Sequence, residues 1–184
     1  MSFKGNEKPV LVDADHLHDR NPGIAFQAEL FNDIIVNKSA VERRAATFAK
    51  RRTVKKDHQA AWLLKAVTCI DLTTLSGDDT DSNVKRLCAK AKQPIRKDIL
   101  EKLGAESLNI KTGAICVYHN YVATAAASLK GSGVDLAAVS TGFPAGLSPF
   151  HLRIAEIEES VKAGAEEIDI VISRRLVLSG DWQG

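Results

Sequence analysis

Apolar residues change their spacing once along this chain. From position 24 to about 66, side chains such as Phe31, Ile34, Ile35, Val41, Ala45 and Phe48 recur at threes and fours, which predicts a helical stretch. Four short apolar runs follow: "AVTCIDL", "AICVYH", "LAAVSTGF" and "EIDIVIS". Each has strand length, and the intervals between them read as helices. After the first run, Asp79 or Thr80 can cap a helix whose stripe holds Val84, Leu87, Cys88 and Ala91. After the second, an alanine-rich segment stops at Gly131 and Gly133. After the third, Leu152, Ile154, Ala155, Ile157 and Val161 keep helical register as far as Gly164.

Continuous apolar strands alternating with helices predict a parallel sheet covered on both faces, and hence an α/β architecture. Periodicity alone does not separate an open doubly wound sheet from part of a barrel. The lack of a G-x-G-x-x-G after the first strand, and polar candidates at the C-terminal ends of several strands, favour the TIM (β/α)8 barrel. Residues 1–23 lack a regular pattern and carry the turn signal Asn21-Pro22-Gly23, so they are expected to form an irregular arm ahead of a domain spanning 24–184. Acids and histidines in "DADHLHD" belong to that arm and read as solvated polar residues, with no converging ligands that would make a metal site.

Composition narrows the classes. The chain has 184 residues and is 45% hydrophobic, enough for a real core. Its net charge of +2 provides no global field to recruit nucleic acid or membrane. The basic run "KRRTVKK" at 50–56 lacks interleaved aromatics and reads as solvated surface. Cys69, Cys88 and Cys116 are an odd set without CxxC spacing, which argues against a disulfide framework or zinc site and fits a reducing cytosol. No signal peptide or membrane span is apparent, so a soluble cytoplasmic protein is expected.

The chemistry is expected where the strands end. Asp71 and Asp169 interrupt apolar runs at comparable places and, with side chains alternating, both could point into a barrel. Buried carboxylates require compensating charges or hydrogen bonds, and backbone amides or a basic side chain would satisfy them equally well. Cys116 lies inside the second run. A Cys116, His119 and Asp169 nucleophilic set can be drawn, although a cysteine within a strand is more often packing. The segment "DDTDSNV" imitates a calcium loop but places Val84 where glycine is needed and Lys90 where the closing glutamate belongs.

Taken together, "CIDLTTLSGDDT", "AICVYHNY", "VSTGFPAG" and "AGAEEIDIVISRRLVLSG" resemble successive strand-and-loop segments of the deoxyribose-phosphate aldolase family. The stretch "KRRTVKKDHQAAWLLKAV" further resembles animal members. The resemblance runs from about Arg51 onward and implies a TIM barrel and a class I aldolase. Such enzymes reversibly cleave 2-deoxy-D-ribose 5-phosphate to D-glyceraldehyde 3-phosphate and acetaldehyde, without a metal or cofactor. A lysine amine attacks the sugar's aldehyde to form an imine, and a neighbouring acid/base group moves protons. The matching position for that relay is Asp169. Asp71, Thr73 and Cys116 match substrate-pocket residues on the first two strands. Ser173 departs from the asparagine of many relatives.

In the family, the imine-forming lysine sits on the sixth strand in a segment resembling "FIKTSTG", followed by a second lysine and a glycine-rich phosphate loop. Here the sequence reaches Gly184, just past the fourth strand, and none of its fifteen lysines falls at a strand's C-terminal end. The expectation is about four βα units of the barrel, inactive alone. The other reading is a noncatalytic half-barrel that binds a protein partner. A homo-oligomer, or association through the edges of an unclosed sheet, is expected.

Overall fold

The four apolar runs become one parallel sheet in the order β1-β2-β3-β4. The strands are β1 (Asp71–Thr73), β2 (Ala114–Tyr118), β3 (Asp135–Ser140) and β4 (Glu167–Ile170). The structure is a computed structural model and describes residues 25, 27–31, 33–51, 53–182 and 184. The chain divides into two units at Asn37 and Lys38. The arm expected over 1–23, with its acids and histidines, lies outside the described residues.

The helices are α1 (Lys38–Phe48), α2 (Lys56–Val67), α3 (Asp81–Lys92), α4 (Lys97–Leu103), α5 (Val122–Leu129), α6 (Phe150–Lys162) and α7 (Arg174–Leu178). The continuous helical stretch expected from 24 to 66 is therefore two helices, preceded by a 3-10 turn at Ala28–Leu30. Phe31, Ile34 and Ile35 lie outside any α-helix. The break falls in "KRRTVKK", where five cations within seven residues would repel one another on adjacent turns and Thr53-Val54 adds two β-branched residues.

The first strand is shorter than its apolar run. Ala66 and Val67 finish α2, whose last turn is closed by the Thr68 hydroxyl donating to Lys65 O at 2.7 Å. A short apolar run fits a buried helix end as well as a strand, and the local cap decides for helix here. The chain then passes close to β2: a Cβ at Gly113 would stand 3.1 Å from Thr68 O. Glycine permits that approach and lets Gly113 N donate to Ile70 O at 3.0 Å.

Alternation along the central strands builds the core. Ile115, Val117, Leu136 and Ala138 face the helices and pack with Val84, Cys88, Val122, Ala125 and Leu129. The α3 stripe forms as expected, and its N-cap is Thr80, whose hydroxyl accepts from Asn83 N at 3.3 Å. Asp79 instead accepts from Thr74 Oγ1 and Ser76 N, tying the loop after β1 to itself. On α6 the outcome differs, because Leu152, Ile154 and Val161 are exposed while Ser160 is buried. No described helix is long and apolar enough to cross a membrane.

Candidate active site

The opposite face of the sheet carries the predicted residues. Thr73, Cys116, Ala137 and Glu167 stand in one register row; Tyr118, Val139 and Asp169 stand in the row two residues further toward the C-terminal ends. Asp71 lies two residues before Thr73, opposite Ala114. Paired residues of a parallel sheet share a face, so Asp71, Thr73, Cys116 and Asp169 all turn away from the helix-covered core. Cys116, Ala137 and Val139 form a second buried cluster there, lined by Leu75, Tyr118 and Phe143. The Tyr118 and Phe143 rings meet edge to face with centroids 6.0 Å apart.

The Cys116 thiol is influenced by both acids. Burial pushes its ionisation upward, and the negative charges of Asp169 and Asp71 push it further. Hydrogen bonding by the Thr73 side chain and the Val139 backbone acts in the opposite sense without overcoming burial. Cys116 is therefore held as a neutral thiol at neutral pH. His119 does not activate it: its Nδ1 lies 3.6 Å from Glu156 Oε1. The Cys116, His119, Asp169 nucleophilic arrangement is not assembled.

Two expectations about the acids are corrected. Asp71 and Asp169 are exposed, not buried, and β4 reads exposed at three of its four positions. Both residues lie on the outer strands of the described four-stranded sheet, where water reaches their carboxylates. Among the described residues no basic side chain forms a salt bridge with either acid.

What holds the C-terminal end of β4 was not apparent from the sequence. Thr141, immediately after β3, is a buried non-glycine residue at φ 61°. Its hydroxyl accepts from Val171 N at 2.6 Å and has the Ser140 and Val171 carbonyls as acceptors at 2.7 and 3.1 Å. A side chain thus continues the β3–β4 ladder beyond the Ser140–Ile170 pair, two residues from Asp169. Next to it, Gly142 N donates to Glu156 Oε2 at 2.9 Å, and Glu156 in turn faces His119. The turn dipeptide "TG" was the one available signal, and it says nothing about the cross-strand bond.

Asp71 opens β1 in the first row of the sheet, Cys116 lies in the middle of β2 and Asp169 stands near the C-terminal end of β4, all on one face. Four βα units around one parallel sheet are the geometry of half a (β/α)8 barrel. Residues 65–184 match the family described as DeoC/LacD family aldolase. The chain belongs to this family. It is 53% identical over 163 residues to the deoxyribose-phosphate aldolase of Bos taurus, over 88% of this chain and 51% of that protein. With the deoxyribose-phosphate aldolase of Homo sapiens it shares 52% identity over 165 residues, 89% of this chain and 52% of the other. The chain thus spans about half the length of the curated relatives it matches. A crystal structure from Coccidioides immitis, provisionally assigned as a deoxyribose-phosphate aldolase, superposes with a TM-score of 0.53 at 22% identity, over 86% of this chain and 53% of its own. That likeness bears on the fold, which is the partial barrel the sequence pattern predicted.

Proposed function

We propose that this polypeptide supplies the first part of the active site of a class I deoxyribose-phosphate aldolase. The reaction is the reversible cleavage of 2-deoxy-D-ribose 5-phosphate to D-glyceraldehyde 3-phosphate and acetaldehyde, used in deoxyribonucleoside breakdown. The observation that carries the reading is the 53% identity to the Bos taurus enzyme across 163 residues.

In this reading the substrate is a small phosphosugar whose aldehyde carbon is held by a lysine as an imine. Asp169 is the proton-relay residue. Its carboxylate, at the strand end and open to water, can take the proton of the sugar's C3 hydroxyl, directly or through water, as the C2–C3 bond breaks. It can return a proton to the carbon that becomes the methyl group of acetaldehyde. Asp71 and Thr73 line the same pocket face, and the neutral Cys116 thiol packs beneath the substrate without acting as a nucleophile. The three unpaired cysteines fit a reducing cytosol.

The test is turnover by the native polypeptide that carries this sequence. With 2-deoxyribose 5-phosphate supplied, acetaldehyde and glyceraldehyde 3-phosphate should be released in equal amounts. No release, under conditions where an authentic aldolase turns over, rejects the proposal.

A further inference from the structure

Between the loop that follows β3 and the start of α7 lies a cleft of about 520 Å³. Three arginines line it: Arg153 from α6, and Arg174 and Arg175 from α7. Ser148 and Ser173 join them; among the described residues no carboxylate lines the cleft, and the rest of the wall is small or apolar. These charges come from positions 153, 174 and 175 and meet only because the loops after β3 and β4 are neighbours on one rim.

None of the three arginines belongs to a salt bridge among the described residues, where Arg96 with Asp98 is the arginine that does. Each contact they do make orients a guanidinium without neutralising it. Arg153 Nη1 donates to Ser173 Oγ at 3.0 Å, its Nε is buried without a hydrogen-bond partner, and its charge lies 5.5 Å from the centre of the Phe150 ring. Arg174 Nη2 donates to Pro144 O at 3.3 Å. The opposing wall is brought near by Gly146 at φ 69°, where a Cβ would stand 2.8 Å from Val171 Cγ1.

Three like charges around one concavity raise each other's energy and focus a positive potential into it. Guanidinium forks match tetrahedral oxyanions in geometry and carry charge at every accessible pH. We propose that this cleft is an oxyanion site that takes inorganic phosphate or the phosphate group of a small monoester. A doubly charged anion fits three cations better than a single carboxylate does, and the volume leaves room for a few carbons beyond the phosphate. Asp169 is not among the lining residues, and occupancy requires no turnover, so the site stands or falls separately from the aldolase reading.

Titration with inorganic phosphate against chloride at matched ionic strength tests it, using calorimetry on the polypeptide that carries this sequence. Saturable binding is expected, at least tenfold weaker in the double variant Arg174→Ala, Arg175→Ala, whose altered side chains are exposed. Arg153→Gln, which removes the third charge while keeping a donor for Ser173, should weaken it similarly, and circular dichroism checks that both variants fold. Displacement of phosphate by 2-deoxyribose 5-phosphate but not by glycerol 3-phosphate would identify the occupant as the sugar phosphate; displacement by both would indicate a general monoester site. Phosphate binding no better than chloride, or equally well to the folded variants, overturns the proposal.

Discussion

Thr141 and Val171 are joined by a side-chain bridge across the β3–β4 pair: Val171 N donates to Thr141 Oγ1 at 2.6 Å, and the hydroxyl in turn faces the Val171 carbonyl at 3.1 Å. The bridge makes the rim that bears Asp169 depend on one buried hydroxyl. Replacing it leaves the Val171 N–H without its acceptor. Thr141→Val keeps the β-branch and the positive φ, so it isolates the hydroxyl; it should cost about 1–3 kcal/mol. Thr141→Ser should restore most of that. Urea denaturation of the three proteins checks the order.

The helix-covered face answers to ordinary core physics. Ile115 is fully buried among α3 and α5, so Ile115→Ala should lower stability by about 2–5 kcal/mol through lost burial and the cavity left behind. A smaller loss in the denaturation midpoint, at unchanged slope, would mean that the two helices collapse onto the sheet.

The thiols set a pH dependence. Cys116 and Cys88 both ionise above the ordinary value of 9.0, in each case first because of burial. Above that value the unfolded chain loses these protons before the folded one does. The folded state then binds more protons, and stability falls as pH rises. Asp169→Asn removes one of the negative charges beside Cys116 and should make that thiol ionise at lower pH. Site-resolved alkylation rates against pH, read by peptide mass spectrometry, follow Cys116 separately from Cys88.

Lysine chemistry gives a fourth prediction. Among the described residues no lysine pairs with Asp169 or Asp71, and the lysines tied at long range, Lys92 and Lys111, hold the Ser128 and Ser132 carbonyls. The 184-residue polypeptide by itself should therefore not be labelled when borohydride is added with 2-deoxyribose 5-phosphate. A substrate-dependent mass increment on any of its lysines would contradict this.

Several features were legible because they depend on local rules. Alternation along parallel strands puts Asp71 and Asp169 on one face, and the Thr80 cap and the Val84 to Ala91 stripe follow from helical spacing. Others were not, and for physical reasons. The run at 66–72 is compatible with helix end or strand, and the Thr68 cap resolved it. Asp169 was expected to be buried because its neighbours are apolar, and among the described residues it is exposed on the outer strand of the sheet. Thr141 bonds to a residue 30 positions away, and Arg153 meets Arg174 and Arg175 only in three dimensions. No pattern of spacing encodes either.

Asp169 is where the account is most exposed to test. It is solvated and unpaired among the described residues, so Asp169→Asn should change the folding stability of the 184-residue polypeptide by no more than about 0.5 kcal/mol. The direct measurement is kcat for 2-deoxyribose 5-phosphate cleavage by the native protein and by this variant. A fall of about 10²–10⁴ with the melting temperature preserved is the predicted result for a group that moves protons; near-normal turnover in the folded variant would remove Asp169 from the mechanism.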